Sequence, residues 1–294
     1  MWYWRSQGKT KNEKLKIPRG LLFAVSIFHF TFALTACALF APKEEAPPLK
    51  QATAEELTAL LRQRESAIES IKGLFSAKIR GGLIPIASRV EGAVYYRRPN
   101  ALRLRGFTPV GGELFELVQV DDQYKLRLPT MGRVLAGRQS DMGEMGKLAR
   151  PFQLSVWAMG GLLGTGSIAK GETVKLVEDG ERYRLDVSGP PGDQTKRPVL
   201  QRRLWFDRHN LLVVQEERLG SNGEVEATIR YEDFRPIDDG AVEPVAAHAP
   251  APGRLLRPFK ISLEDGRGQG SVQVTFHEII PNQALKAEEL GHIS

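Results

Sequence analysis

The sequence predicts a mainly β (α+β) fold, built on an antiparallel sheet of about eleven or twelve strands, large enough to curl. Three observations lead there. After Gly73 the apolar residues recur with period two in segment after segment. The connections between these segments are short and carry Pro, Asn, Gly or Asp, as antiparallel hairpins require. Strands do not alternate with long helices, which argues against a parallel sheet of strand–helix–strand units.

Residues 1–36 read as an export signal that stands outside the fold. Arg5, Lys9, Lys11, Lys14, Lys16 and Arg19, relieved only by Glu13, form a basic head. Leu21–Ala36 follows without a charged residue, interrupted by Ser26, His29 and Thr31. That run falls short of the roughly 20 apolar residues of a membrane helix, so a cleaved segment is expected. Residues 37–52 begin with the lone cysteine and are rich in Pro, Ala and charge, which predicts an extended tether. Residues 53–294 remain for one domain with a sizeable core.

Thr53-Ala54-Glu55-Glu56 has the pattern of a capping box. Leu57, Leu60, Leu61, Ala67, Ile68, Ile71 and Leu74 continue at helical spacing, so a helix is expected from about Thr53 to Lys72. Strands are then expected at Leu74–Arg80, Ser88–Arg97, Ala101–Phe107, Glu113–Val120 and Gln123–Leu128. Residues 141–163 break the alternation, with Leu154, Trp157 and Ala158 on one side of one or two short helices. Strands resume at Thr173–Glu178, Arg182–Ser188, Val199–Phe206, Leu211–Arg218, Val225–Phe234, Phe259–Leu263 and Ser271–Ile279. Residues 189–198 and 236–258 read as long loops, and Asn282–Leu290 as a final short helix. The two apolar helix faces are expected to cover the concave side of the sheet.

The net charge of +6 is concentrated at the start of the chain, where residues 1–36 carry six basic residues and one acid. The remaining residues hold 35 Lys and Arg against 34 Asp and Glu, a net of +1. Such a mixed surface lacks the basic stripe that neutralises phosphates, so no nucleic-acid partner is expected. A single cysteine in 294 residues leaves nothing for an internal disulfide.

Enzyme chemistry finds little support, and neither a catalytic residue nor a metal or cofactor is assigned. His209, His248, His277 and His292 lack the i, i+4 partner of a zinc helix. No Gly-x-Ser-x-Gly elbow occurs. Gly164-Thr165-Gly166-Ser167-Ile168-Ala169 has no preceding strand of a dinucleotide-binding unit. Glu55/Glu56 and Asp238/Asp239 fit a helix start and a turn rather than a general acid/base pair.

Leu34-Thr35-Ala36-Cys37 resembles the lipobox of bacterial lipoproteins, in which the cysteine receives a diacylglyceryl group. Two or three acyl chains at about 0.8 kcal/mol per CH2 make a stable anchor. Ala38, where an Asp favours inner-membrane retention in enterobacterial lipoproteins, points to the outer membrane.

Two further stretches carry a resemblance. Leu102-Arg103-Leu104-Arg105-Gly106-Phe107-Thr108-Pro109-Val110-Gly111-Gly112-Glu113-Leu114 is similar to a strand–loop–strand segment of the LolA/LolB lipoprotein-localisation family. Pro151–Gly161 (PFQLSVWAMGG) is similar to that family's inserted helix. With the order helix, strands, inserted helix, strands, the chain resembles the family from about Thr53 to Ile279, on its outer-membrane, LolB-like side. The resemblance implies an incomplete antiparallel β-barrel with helices over an apolar cavity. It implies a protein that binds acyl chains, accepts lipoproteins from a periplasmic LolA-like carrier and inserts them into the outer membrane. The cavity is then expected to be lined by Val94, Tyr96, Leu102, Leu104, Val118, Leu126, Tyr183, Leu185, Leu204 and Phe206, and sealed by Leu154 and Trp157. Pro109, Val110 and Gly111 correspond to the family's membrane-touching loop, with Val110 where its receptor has a Leu.

Strand alternation alone fits a filled core better than a hollow one; the resemblance favours the cavity. Two other roles remain open at this point. One is a LolB-like fold used as a lipid sensor or carrier, and the other a structural lipoprotein that binds a partner protein.

Overall fold

The computed structural model describes residues 47–81, 89–138, 150–163, 168–190, 198–237, 255–268 and 270–293. Cys37 and the expected signal and lipobox lie outside the described residues.

Helix α1 (Ala54–Ser66) starts where the capping box places it. The Thr53 hydroxyl accepts from the Glu56 N–H at 3.2 Å, and the Glu56 carboxylate accepts from the Thr53 N–H at 2.8 Å. Two of the orphan donors of the first turn are thereby satisfied. The helix ends six residues earlier than the spacing predicts. Asn282 intervenes: its side chain accepts from the Glu69 N–H at 2.8 Å and donates to the Ala67 carbonyl at 3.0 Å. Ser70 donates to the Gln283 carbonyl at 2.6 Å, and the backbone leaves the helix there to become a strand. Ile68 and Ile71 are buried in the turn and strand that form instead, and an apolar residue at each position also fits helical spacing.

The described residues hold thirteen antiparallel strands in one sheet. They are β1 (Ser70–Gly81), β2 (Arg89–Arg97), β3 (Ala101–Phe107), β4 (Glu113–Val120), β5 (Gln123–Leu128), β6 (Arg133–Arg138), β7 (Thr173–Asp179), β8 (Arg182–Ser188), β9 (Leu200–Asp207), β10 (Val213–Leu219), β11 (Val225–Ile237), β12 (Leu255–Asp265) and β13 (Gly270–Pro281). The order across the sheet is β6-β5-β4-β3-β2-β1-β13-β12-β11-β10-β9-β8-β7. Two meanders, one from each half of the chain, meet where β1 pairs with β13, Ala77 opposite Val274. Among the described residues β6 and β7 end this order, and the sheet is an incomplete barrel.

Strand β6 goes beyond the sequence expectation, and β11 and β12 run further into residues 236–258 than expected. Ile237 pairs with Leu255, so the long connection there begins and ends inside the sheet. Helix α2 (Arg150–Leu163) falls in the expected insertion, and α3 (Ala287–Leu290) in the expected tail.

One face of the sheet is apolar along aligned rows. Ile71, Gly73, Phe75 and Ala77 of β1 face Tyr96, Val94, Gly92 and Val90 of β2, and the rows continue through Leu102, Leu104 and Gly106 of β3. Two glycines make room for rings. A Cβ on Gly92 would stand 2.4 Å from Phe75, and one on Gly106 would stand 2.2 Å from Phe115.

Candidate functional site

The site is the apolar face of the sheet and the two helices that lie on it. Helix α1 is tied down at both ends. Ahead of it, the Ala52 N–H donates to the Tyr183 hydroxyl at 3.3 Å, and that hydroxyl donates to the Gln51 side chain at 3.0 Å. At its end, Arg64 donates to the Leu211 carbonyl at 2.7 Å, and Arg257 donates to the Arg64 carbonyl at 2.6 Å. Arg257 is 2% exposed, and burial, then the charge of Arg64, brings its guanidinium down to about 10. The negative end of the helix dipole compensates part of that buried charge.

Helix α2 packs on β11, β12 and β13. Phe152, Leu154, Ala158, Met159 and Leu162 are buried beneath it. Phe152 meets Phe115 edge to face at 5.1 Å, which ties the helix start to β4. Trp157, half-buried, reaches the other way, with the Arg218 guanidinium 5.1 Å from its ring centre.

The structure brings most of the expected lining together. Val94, Leu102, Leu104, Leu126, Leu154, Tyr183, Leu185, Leu204 and Phe206 are buried in one apolar cluster, and Tyr96 and Trp157 pack against it. Val118 is a correction. It pairs with Arg103 and Lys125 on the opposite face, where it is buried against Gly291 of the C-terminal tail. The inward positions of β4 are Phe115, Leu117 and Gln119. β4 carries apolar residues in both registers, so alternation does not reveal which one faces in.

The cluster is packed rather than hollow where it is described. Val94, Tyr183, Leu185, Leu204 and Phe206 are each 0% exposed. Leu57 and Leu61 of α1 and Leu162 of α2 fill the space between the helices and the sheet.

A charged group sits at one end of this face, where the sequence reading had expected only apolar lining. Glu216 is 1% exposed and accepts from the Tyr231 hydroxyl at 3.1 Å. Arg218 lies 3.0 Å from the other Glu216 oxygen, beneath Trp157. Burial, then the Glu216 charge, raises the Tyr231 phenol well above its ordinary value, so it stays a donor. Beside them, Arg202 pairs with Glu172 at 3.1 Å. The signal was present in β10, whose VVQEERL places charges on both faces of one strand.

The expected membrane loop is a protruding turn between β3 and β4. The Gly111 N–H donates to the Thr108 carbonyl at 2.9 Å, across Pro109 and Val110. Gly111 has φ +93°, which glycine alone adopts without strain. Val110 is 94% exposed at the crest. Below it an ion-pair lattice stiffens the strands on their outer face. Glu113 bridges Arg105 at 2.9 Å and Arg127 at 2.6 Å, and Glu116 bridges Arg127 at 2.9 Å and Arg103.

Among the described residues no group of three or more His, Cys, Asp or Glu side chains is placed to hold a metal. No described helix is long and apolar enough to cross a membrane.

Neither a protein-family model nor a curated protein sequence matches the chain. Solved structures do. A candidate outer membrane lipoprotein-sorting protein domain from Vibrio parahaemolyticus is similar at a TM-score of 0.51 and 10% identity, over 81% of this chain and 97% of that one. A DUF1329 family protein from Desulfovibrio piger is similar at 0.53 and 9% identity, over 82% and 98%. A LolA superfamily protein from Nitrosomonas europaea follows at 0.49 and 12% identity, over 82% and 99%. The domain therefore shares the fold of the lipoprotein-sorting domain and the DUF1329 protein, an open antiparallel sheet in an incomplete barrel with helices packed on its apolar face.

Proposed function

We propose that the chain is an envelope lipoprotein, anchored through Cys37 to the periplasmic face of the outer membrane, whose half-barrel shelters acyl chains. In this reading it accepts lipoproteins from a periplasmic carrier and passes them to the membrane through the Pro109-Val110-Gly111 turn. One observation carries it: the apolar face of the sheet continues beneath α2, a helix of 14 residues, as far as the Glu216–Arg218 pair under Trp157. Lifting α2 opens that face.

The energetics allow the exchange. Among the described side chains of α2, Phe152, Leu154, Met159 and Leu162 are the large ones that are fully buried. At about 1.5–3 kcal/mol each they contribute roughly 6–12 kcal/mol. An acyl chain of about 14 carbons, at about 0.8 kcal/mol per CH2, brings roughly 11 kcal/mol to the same surface. Occupant and helix are near balance, which is what a carrier that must also release its cargo requires.

The packed core favours a second reading, a structural lipoprotein that holds a partner protein and takes up no lipid. Native mass spectrometry of the purified chain, with uptake of a fluorescent fatty acid, separates the two. Co-purifying acyl chains or saturable uptake support the carrier; a clean apo protein without uptake rejects it. Delivery of a lipoprotein to liposomes then tests the receptor role.

A further inference from the structure

We propose that the corner formed by the β3–β4 and β5–β6 turns is a docking surface for an anionic phospholipid bilayer, with Val110 and Met131 entering the apolar layer and Arg127 and Arg133 meeting phosphate groups. It rests on the reading of the chain as a membrane-bound lipoprotein and adds a second turn and a lipid charge to it.

The two turns share one end of the sheet. β4 starts where the Thr108–Gly112 turn ends, and antiparallel β5 finishes there, opening into the single 3-10 turn Pro129–Met131. That turn packs against β4. Among the described residues six large apolar side chains are exposed, and three belong to this corner: Val110 at 94%, Val134 at 57% and Met131 at 45%. Both crests stand free. A Cβ built on Gly111 or on Gly132 meets nothing within 4 Å. Free-standing apolar crests suit a fluid interface, which closes around them, better than a preformed protein pocket.

The charges are layered in the same sense. In the ion-pair lattice below Val110 both acids and Arg103 are turned in, and Arg105 and Arg127 are turned out. Glu113 and Glu116 have side chains 17% and 15% exposed, while Arg127 is 45% and Arg105 33% exposed. Arg133, at the start of β6, is exposed as well. The outer layer of the corner is cationic although its inventory is mixed. A cation within a Debye length of an anionic leaflet raises partitioning roughly fivefold, and shallow apolar insertion adds to it.

The test uses the full chain with Cys37→Ser, which removes the acyl anchor and the native thiol, added to vesicles from solution so that binding reports the corner itself. Single cysteines at Val110→Cys, Met131→Cys and, at the opposite end of the sheet, Asn100→Cys carry an environment-sensitive dye, with nitroxide-bearing lipid as quencher. Vesicles are phosphatidylcholine alone or mixed with phosphatidylglycerol. Blue shift and quenching are expected at 110 and 131 but not at 100, stronger in the mixed vesicles, and reduced roughly fivefold by Arg133→Gln. Quenching at 110 alone, indifferent to phosphatidylglycerol, overturns the two-turn surface and leaves the Val110 reading in place. Aqueous signals at both turns, with fatty-acid uptake intact, overturn the docking surface and leave acyl binding standing. Loss of uptake and docking together overturns both.

Discussion

Trp157 on α2 and Arg218 on β10 are stacked, guanidinium carbon to ring centre 5.1 Å, where the helix passes over the charged end of the half-barrel. The same arginine faces buried Glu216, so the ring rests on an ion pair that is fixed to the sheet. Trp157→Ala removes a contact of about 0.5–2 kcal/mol together with the apolar cover of the ring. Faster uptake of a fluorescent fatty acid is expected, with Trp157→Phe in between. Unchanged uptake kinetics in Trp157→Ala sink the idea that α2 gates the face.

Glu216 carries a sharper stability expectation. Tyr231→Phe deletes the hydroxyl that donates to it and leaves a buried carboxylate oxygen short of a donor. A loss of about 1–3 kcal/mol is expected in urea unfolding. Tyr231→Phe combined with Glu216→Gln should recover part of it, because the charge is gone.

Gly106 and Phe115 form a matched pair in neighbouring strands, the ring occupying the space a side chain would take. Gly106→Ala is expected to cost about 1–3 kcal/mol through overpacking. Phe115→Leu in the same chain should return some of that, and additive losses in a double-mutant cycle would refute the pairing.

Acid should weaken the outer lattice. Burial raises the Glu116 carboxyl, but the Arg103 hydrogen bond and the charges of Arg103 and Arg127 outweigh it and hold the group below its ordinary 4.5. A carboxylate with a depressed folded value stabilises fully above its unfolded value and loses that contribution as pH falls through the folded one. Unfolding midpoints are therefore expected to be level down to about pH 5 and to decline below it. Glu116→Gln should flatten that decline.

Val110→Glu tests the turn without touching the core. At 94% exposure the change is expected to stay within about 0.5 kcal/mol of stability. Fatty-acid uptake should be retained, and delivery of a lipoprotein to liposomes should fall.

Local chemistry was readable where it acts locally. The Thr53–Glu56 box marks the start of α1, and Ala101–Phe107, Glu113–Val120, Gln123–Leu128 and Arg182–Ser188 are strands with the bounds their alternation predicts. The end of α1 was not readable, because Asn282, some 215 residues along the chain, decides it. β6 was hidden for a similar reason. Its RVLAGR is mostly exposed and becomes a strand only through pairing with β5. Val118 shows the limit of alternation, since β4 is apolar in both registers and only its neighbours choose the inward one. Whether a row of apolar residues lines a hollow or fills it lies outside a two-residue period altogether. The burial of Tyr183, Leu185 and Leu204 beneath two helices is a property of the assembled face.

The pairing of β1 with β13 sets an order of events for the newborn chain. Each meander can zip up on its own from short hairpins, but the central seam joins residue 71 to residue 281. Contacts so distant along the chain form late, since their loop-closure entropy comes due before they stabilise anything. A polypeptide emerging N-terminus first from the ribosome thus holds two unfinished ribbons until its last strand arrives. The sheet closes at its centre only once the whole chain has been released.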